Sequence, residues 1–251
     1  MATTYSIATQ KGGTGKTSTA ISIAAGLGRQ GKRVLLIDVD AQANASKVLL
    51  THYQSLKKDD TVYLTLIERK PLRIHQTAVP HLDIVPGHIL LSETDMALAT
   101  AIDHRESRLK TQLEKVHDHY DYVIIDCPPS LGWQTINALT ASNFVIVVIE
   151  PGYFELDSTV QFSKTVREVQ EFFNPSLTMK GFLFTKSDPT NNSKVSLNLL
   201  RSTYPEHVLK SVIPRNVDMK DANASNKDIF AYNPHSRAAE AYQRLIEEVF
   251  A

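Results

Sequence analysis

The sequence predicts an α/β fold in which a mostly parallel, twisted sheet is covered by helices on both faces. Short β-branched runs alternate with stretches of helical spacing, several runs are apolar without alternation, and polar clusters directly follow three of them. Strands that are apolar without alternation are typical of parallel sheets, which are buried on both faces. Because its 251 residues contain no internal repeat or Pro/Gly-rich linker, we expect one domain, residues 1–251.

The apolar runs predict seven strands, which in chain order are Tyr5–Thr9, Arg33–Val39, Leu82–Val85, Tyr122–Asp126, Phe144–Ile149, Gly181–Thr185 and Val208–Ile213. The first, "YSIAT", leads into a glycine-rich turn, and the second and fourth, "RVLLIDV" and "YVIID", carry aspartate at or near their ends. The third, "LDIV", is short. The fifth, "FVIVVI", has no polar residue, and the last two, "GFLFT" and "VLKSVI", contain several β-branched or aromatic residues.

Helical spacing of apolar residues predicts four helices, at Thr17–Arg29, Arg105–His117, Leu156–Phe173 and Ser236–Phe250. The first follows the glycine-rich turn directly. The last carries its apolar residues on one stripe and its glutamates elsewhere. We therefore expect this last helix to dock on the sheet rather than on anionic lipid, which would select a basic helix.

The composition limits the classes of partner. The formal net charge is zero and the pI is about 7.1, so contact with nucleic acid would need a local basic patch. A single cysteine, Cys127, excludes an internal disulfide and a thiolate metal cluster, and it suits a reducing compartment. No apolar run approaches the roughly 20 residues that span a bilayer, and the N-terminus lacks the layout of a signal peptide. We expect a cytoplasmic protein.

The stretch "TQKGGTGKTST", Thr9–Thr19, predicts a phosphate-binding loop between the first strand and the first helix. Its glycines permit a backbone path that aims successive N–H groups inward, and the helix adds its N-terminal dipole. Lys16 is expected to neutralise the β- and γ-phosphates, and the Thr17 hydroxyl to bind Mg²⁺. The usual pattern opens with glycine, whereas this loop opens with Gln10. The predicted nucleotide-binding residues of the loop are Lys11, Gly12, Gly13, Thr14, Gly15, Lys16, Thr17 and Ser18.

Acidic residues that follow two other strands predict the rest of a magnesium site. Asp126 ends the strand "YVIID", as the second acid of a phosphate loop does, and Asp38 and Asp40 follow the strand "RVLLIDV". One of this pair would bind magnesium through water while the other positions the attacking water, and the residues alone leave the two roles open. If Asp40 positions the water, the predicted metal-binding residues are Thr17, Asp38 and Asp126.

The motifs "KGGTGKTS", "DVDAQANAS" and "IIDCPPS" resemble, in order and spacing, those of the deviant Walker ATPases of the ParA/MinD group. The resemblance continues through "RESRLK", "LGWQTINAL" and "VIPRNV", so it covers essentially the whole chain. It implies a single-domain P-loop NTPase fold, ATP and Mg²⁺ as cofactors, and a homodimer with ATP sandwiched between subunits. It also implies a ParA-like domain without the N-terminal helix-turn-helix extension of longer plasmid ParA proteins.

The resemblance also implies residue roles. Lys11 matches the lysine that reaches across the dimer to the phosphates of the other subunit, and Asp40 matches the acid that activates water. Together with Lys16, these are the predicted catalytic residues. Asp126 matches the Walker-B acid. Three residues match the loop near the adenine, Pro214, Arg215 and Asn216.

Two departures leave alternatives open. The family usually reads Asp-Pro-Gln-Gly-Asn where this chain reads "DAQAN", so Ala41 and Ala43 are expected to change the mobility of this loop, and with it the hydrolysis rate, more than nucleotide binding. The tetrapeptide "TKSD", Thr185 to Asp188, follows a strand and matches the pattern by which many GTPases recognise guanine. ATP is the predicted nucleotide, GTP is the alternative, and Lys186 joins the predicted nucleotide-binding residues as a contact of the base.

The resemblance implies a partitioning or positioning ATPase that binds DNA non-specifically and associates with the nucleoid. Other members of the group are excluded because the chain lacks the cysteine pairs of nitrogenase iron proteins and the basic terminal helix of MinD-type membrane proteins. Basic residues accumulate between Lys186 and Arg237, and the predicted DNA contacts are Arg201, Arg215 and Lys227. A ParB-like or cargo adaptor would stimulate hydrolysis. The alternatives are positioning of a protein assembly, or a nucleotide-dependent regulator or scaffold with negligible turnover.

Overall fold

One sheet forms the centre of the protein in the computed structural model, which describes residues 2–152 and 155–250, without the side chains of residues 155–158. Its strands, in chain order, are β1 Thr3–Ala8, β2 Val34–Asp38, β3 His75–Gln76, β4 Leu82–Val85, β5 Tyr122–Asp126, β6 Phe144–Ile149, β7 Thr178–Ser187 and β8 Val208–Pro214. The strand order is β3-β4-β2-β5-β1-β6-β7-β8. Every neighbouring pair is parallel except β3 and β4. The predicted mostly parallel sheet is confirmed.

Helices cover both faces of the sheet. They are α1 Lys16–Arg29, α2 Asn44–Leu49, α3 Val62–Glu68, α4 Thr94–Ala99, α5 Arg108–Leu113, α6 Trp133–Thr140, α7 Glu155–Phe172, α8 Asn191–Thr203, α9 Val217–Ala224, α10 Ile229–Tyr232 and α11 Arg237–Phe250. Helices α1, α2 and α9–α11 contribute to one hydrophobic core, and α3 and α5–α8 to the other. Among the helices described, none is both long and apolar enough to pass through a membrane.

The two cores explain why the central strands are apolar without alternation. In β2, Val34 and Leu36 pack into the core that contains α1, whereas Leu35 and Ile37 pack into the opposite core. All four side chains are 0% exposed. Successive side chains of a strand point to opposite faces, so a strand covered on both sides has few positions for a polar residue, and none for an unpaired one, until it ends. The polar residues therefore collect at the carboxyl edge.

The terminal helix α11 docks on the protein, as predicted. It packs against β8 and α1, and its Tyr242 and Leu245 are buried. The Tyr242 hydroxyl lies 3.1 Å from Thr19 Oγ1 of α1. At the outer edge of the sheet, the Glu248 carboxylate accepts hydrogen bonds from the backbone N–H groups of Lys210 and Ser211, at 2.7 and 2.8 Å. The helix thus covers the core and holds the edge strand.

The predicted helix Arg105–His117 is wrong in length, because α5 covers only Arg108–Leu113. Arg105 is held outside the helix by tertiary contacts. Its guanidinium lies 4.2 Å from the ring centroid of Trp133, and its carbonyl accepts a hydrogen bond from the Asn137 side chain at 2.8 Å. The cation–π contact and the hydrogen bond from the Asn137 side chain therefore outweigh the local preference for helix. No sequence pattern indicated β3 or the helices α2–α4, which are two to seven residues long.

Candidate active site

The backbone of the loop between β1 and α1 has the form that a phosphate site needs. Gly13 and Gly15 have φ values of 78° and 93°, in the left-handed region that favours glycine. Gln10 has no positive φ, so the opening position of the pattern does not require glycine here. The loop is fixed from outside by Thr185, whose hydroxyl donates to the Thr14 carbonyl at 2.7 Å. The hydrogen bond from Thr185 therefore fixes the conformation of the loop at the end of β1.

Lys16 lies inside this loop rather than in solvent. It is 5% exposed, and its ammonium donates to the Lys11 carbonyl at 3.4 Å. Burial lowers the pKa of Lys16, and the charges of Asp126 and Asp40 oppose that shift. A buried cation attracts an anion strongly, because little water screens it. This is the chemistry predicted for the lysine that binds the β- and γ-phosphates.

Asp126 is the strongest sign of a cation site. It is 0% exposed at the end of β5, and among the described residues neither of its carboxylate oxygens has a hydrogen bond of normal geometry. Burial raises the pKa of Asp126 well above its usual range, and the charge of Asp38 raises it further, whereas the Thr17 hydroxyl and Lys16 lower it. Buried polar atoms are almost always paired, so two unpaired carboxylate oxygens fit a bound cation. Asp126 and Thr17 have the oxygen donors that Mg²⁺ prefers.

The remaining magnesium ligands have to come from the nucleotide. Among residues 2–152 and 155–250, no three His, Cys, Asp or Glu side chains are grouped so that they could hold a metal ion. Magnesium is commonly bound by one or two carboxylates together with substrate phosphates and water. The residues present therefore fit a metal that arrives with phosphates, and fit a dedicated protein cage poorly.

Asp38, the other predicted metal ligand, is already engaged by the protein. It lies in register with Asp126 on the neighbouring strand and is 0% exposed. One of its oxygens accepts from the Asp40 N–H at 3.2 Å, and the other from the N–H and hydroxyl of Ser46 at 2.9 and 2.7 Å. Burial raises the pKa of Asp38 to about 6 despite the Ser46 hydrogen bonds. Through these hydrogen bonds, Asp38 stabilises the conformation of the loop that carries Asp40.

Gly87 packs against the loop that carries Asp38 and Asp40, and the sequence analysis did not identify it. A Cβ atom at this position would lie 2.9 Å from the Asp40 carbonyl oxygen and 3.1 Å from Asp38 Cγ. The Gly87 N–H also donates to the Ser46 hydroxyl oxygen at 2.9 Å. The acidic loop therefore packs directly on the backbone that follows β4. A glycine after a strand, "VPG", was the available signal.

Asp40 faces the nucleotide cleft from a strained loop. It is 8% exposed, lines the cleft, and accepts a hydrogen bond from the Gln42 N–H at 2.9 Å. Ala43, in the place of the family's glycine, has a φ of 48° and is 0% exposed. A non-glycine residue in the left-handed region costs about 1–2 kcal/mol. The loop therefore keeps a left-handed backbone at Ala43, where the family has glycine, and this conformation is strained for alanine.

The predicted phosphate, water-activating and base residues converge on one cleft of about 780 Å³. Its lining includes Gly12, Gly13, Gly15, Lys16, Thr17, Ser18, Asp40, Lys186, Pro214, Arg215 and Asn216. Two predicted residues of the loop do not line the cleft: Thr14, which is fully buried, and Lys11. Sequence reasoning missed the far wall, which contains Met219, Asn223, Asn226 and Tyr242. These residues lie on or beside α9 and α11, and no short motif marks them.

The guanine pattern is not supported by the position of its aspartate. Asp188 lines a separate groove rather than the cleft, and its two oxygens accept hydrogen bonds from Arg215 Nε at 3.1 and 3.0 Å. A GTPase would need this carboxylate for the base. Lys186 does line the cleft, but its ammonium contacts the Gly13 carbonyl and lies 3.7 Å from Glu150. The ammonium of Lys186 therefore contacts the phosphate loop and Glu150, although the next residue, Ser187, pairs with Pro214 of the base loop.

The predicted DNA contacts do not form one patch. Arg215 lies at the carboxyl edge of the sheet, where it pairs with Asp188, and Lys227 is exposed in the loop after α9. Arg201 is exposed in the last turn of α8, close to the start of β8. Helix α8 runs antiparallel to its neighbouring strands, so Arg201 lies near the amino edge. Arg201 and Arg215 are therefore at opposite ends of β8.

Comparison with known proteins places these features in context. A family model described as an AAA domain matches residues 2–179. The chain is 41% identical to the sporulation initiation inhibitor protein Soj of Bacillus subtilis, over 98% of this chain and 97% of that protein. It is 35% identical to the chromosome partitioning protein ParA of Myxococcus xanthus, over 97% of this chain and 86% of that protein.

A solved structure is similar over the same length. It is a cobyrinic acid a,c-diamide synthase from Mycobacterium smegmatis with a bound ATP analog and magnesium. It is 32% identical to this chain, with a TM-score of 0.83, and the match covers 98% of this chain and 93% of that one.

The strain at Ala43 predicts an unusual response to glycine. Ala43→Gly removes a methyl group and adds backbone freedom, but it also relieves a left-handed φ, so we expect the free energy of unfolding to change by less than about 0.5 kcal/mol. Ala45→Gly is the matched control because Ala45 is equally buried, inside α2, without a positive φ. It should cost about 1–2 kcal/mol. Equal losses in urea unfolding of the two variants would contradict the strain.

The unpaired carboxylate predicts that Asp126→Asn stabilises the nucleotide-free protein. Because the folded-state pKa of Asp126 lies above its unfolded value, the penalty is absent at acid pH and grows as pH rises through the unfolded value. At pH 7–8 we expect a gain of about 1–2 kcal/mol, or roughly 2–6 °C in melting temperature. The exposed Asp59→Asn should change nothing. Magnesium should no longer tighten ATP binding. A lower melting temperature, or an unchanged magnesium effect, would contradict the assignment.

Proposed function

The chain belongs to the ParA/MinD superfamily of ATPases, and from this membership and the geometry of its site we propose that it is a nucleotide switch that dimerises on ATP, binds DNA non-specifically and leaves it after hydrolysis. It is an ATPase of the partitioning group, and its nucleotide is ATP with Mg²⁺. The observation that carries the proposal is the unpaired Asp126 carboxylate beside Lys16 and Thr17 at the end of the central strands. A bound magnesium ion would supply the partner that this carboxylate lacks among the described residues.

The reaction we propose is transfer of the terminal phosphoryl group of ATP to water. When bound, magnesium would neutralise part of the negative charge on the phosphate oxygens. Lys16 neutralises the β- and γ-phosphates from inside the loop. Because Lys16 is buried, little water screens its attraction to the phosphates. Thr17 and Asp126 would hold the magnesium ion. Asp40, which lines the cleft, orients the attacking water and accepts its proton.

Dimerisation gives the second lysine a role. Lys11 does not line the cleft of its own chain, and its side chain is 49% exposed at the surface. From this position Lys11 would reach the phosphates bound by a second copy after leaving its ion pair with Glu150. Supplying the charge from the other subunit couples ATP binding to assembly, because the site is complete only in the dimer.

DNA binding is assigned to a basic groove along β8, which we call the edge groove. It holds about 370 Å³ and is lined by Lys194 of α8 and by Arg237 and Arg244 of α11, together with Asp188 and Glu240. Arg215 compensates Asp188 at its rim. The cations therefore outnumber the acids, and they come from two helices on opposite sides of one strand. Such a surface suits phosphates without reading bases.

The cargo and adaptor follow from the partitioning relatives rather than from this site. We propose that an adaptor protein stimulates hydrolysis and so removes the dimer from DNA, moving a plasmid, a chromosome region or a protein assembly. The strain at Ala43 also supports a second candidate function, a slowly hydrolysing regulator or scaffold, because the loop that carries Asp40 is less free to move than one with glycine. Steady-state ATPase rates, with and without DNA, separate the two.

The switch predicts opposite behaviour for two variants. Lys11→Ala should bind ATP normally but fail to dimerise, whereas Asp40→Ala should dimerise and persist because water is no longer oriented, with turnover reduced about 100-fold or more. Light scattering with ATP measures assembly, and phosphate release measures turnover. Lys32→Ala is the control, an exposed lysine beside the start of β2. A Lys11→Ala protein that dimerises like the parent would remove the cross-subunit role.

The edge groove predicts which basic side chains contribute to DNA affinity and to its salt dependence. DNA binding should require ATP, and log affinity should fall with log salt at a slope near −4 to −5 if about four to six phosphates are neutralised. Lys194→Ala and Arg237→Ala should each reduce that slope by about 1, on any sequence. Arg201→Ala is the control, because Arg201 lies at the far end of β8. Filter binding with ATP, ADP and no nucleotide tests this. An Arg201 effect equal to that of Arg237 would reject the groove, and equal binding in all three states would reject the switch.

A further inference from the structure

Glu150, the residue after β6, lies between two lysines at the mouth of the phosphate loop. Its Oε1 is 3.1 Å from the ammonium of Lys11, and its Oε2 is 3.7 Å from the ammonium of Lys186. The Glu150 side chain is 21% exposed, compared with 49% for Lys11 and 39% for Lys186. One partly buried carboxylate thus forms ion pairs with two lysines that are more exposed than it is.

Lys186 is held by groups other than Glu150. Its backbone has a φ of 50°, and its ammonium also donates to the carbonyl of Gly13 in the loop. The preceding residue, Thr185, donates to the carbonyls of both Thr14 and Ile149. Lys186 is therefore fixed to β6, β7 and the loop together. Lys11 has a half-exposed side chain on the other side of the same carboxylate.

Two cations on one carboxylate compete for it. If Lys11 leaves, Lys186 still compensates the charge of Glu150, so the departure does not strand a buried ion. If Lys186 were absent, Lys11 would be the remaining described partner of Glu150 and would be held more tightly. The presence of the second lysine thus lowers the cost of moving the first.

We propose that Glu150 is a positioning residue for Lys11: its carboxylate retains Lys11 in its own subunit when no nucleotide is bound, and Lys186 takes over the carboxylate when Lys11 moves to the phosphates of a second copy. This inference rests on the ATP-dependent dimer of the proposed function. It makes Glu150 oppose assembly and Lys186 favour it, although both act within their own subunit.

The first test uses the nucleotide-free chain. Acylation of Lys11 by an N-hydroxysuccinimide ester, followed by mass spectrometry, reports how available its amine is. Glu150→Gln should speed labelling of Lys11 about two- to fivefold, and Lys186→Met should slow it, because the strength of a partly exposed ion pair sets the effect. Glu168→Gln is the matched control: it breaks the exposed Lys164–Glu168 pair of α7, at 3.9 Å, and should leave Lys11 unchanged.

The second test measures dimerisation by sedimentation at saturating ATP, with ATP affinity determined separately. Each dimer breaks two Lys11–Glu150 pairs, so the effects are squared. Glu150→Gln should raise the dimerisation constant about four- to 25-fold, and Lys186→Met should lower it by a similar factor. In the Glu150→Gln background, Lys186→Met should have no further effect, because the carboxylate charge for which the lysines compete is gone.

The outcomes separate the inference from the proposed function. Opposite shifts of the single variants that vanish in the double variant support the inference. Equal labelling of Lys11 in all variants, with normal dimerisation, overturns the inference alone. A Lys186→Met effect that persists in the Glu150→Gln background also overturns it, because Lys186 would then act directly. A parent chain that stays monomeric with ATP overturns the proposed function, and the inference falls with it.

Discussion

The cost of burying charge at the carboxyl edge of the sheet governs the rest of this structure. Strands β1, β2 and β5 are covered on both faces, so the polar residues that follow them have little water. Lys16 and Asp126 are both buried there, and the pKa of each is displaced toward its neutral form. Hydrogen bonds from the protein satisfy Asp38, whereas the Asp126 carboxylate is left unpaired among the described residues. The free site therefore suits a ligand that carries both a metal cation and anionic oxygens.

The same constraint decides what the sequence could reveal. The strands were predictable because burial on both faces leaves long apolar runs, and the phosphate loop because Gly13 and Gly15 need left-handed backbone. The division of work between the aspartates was not predictable. Asp38 and Asp126 look equivalent as strand-end acids, and only the position of Ser46, eight residues after Asp38, shows that one of them is occupied by its own chain.

Tertiary contacts account for the remaining differences. Arg105 lies on a helical pattern, but its contacts with α6 hold it outside α5. Arg201 and Arg215 are close in sequence yet lie at opposite ends of a strand. Glu150 had no signal at all, because a single glutamate after an apolar strand is an ordinary feature. Asn137, within a motif shared with the family, serves the packing of α5 on α6 through its side-chain amide.

The hydrogen bonds of Glu248 at the outer edge of the sheet affect how copies of this chain can meet. By accepting two backbone N–H groups of β8, its carboxylate occupies donors that an incoming strand would use, and the opposite margin, β3, is only two residues long. Among the described residues, strand addition from another molecule is thus disfavoured at both margins. Even where copies of this chain are concentrated, the margins of their sheets therefore give little support to the growth of a fibre.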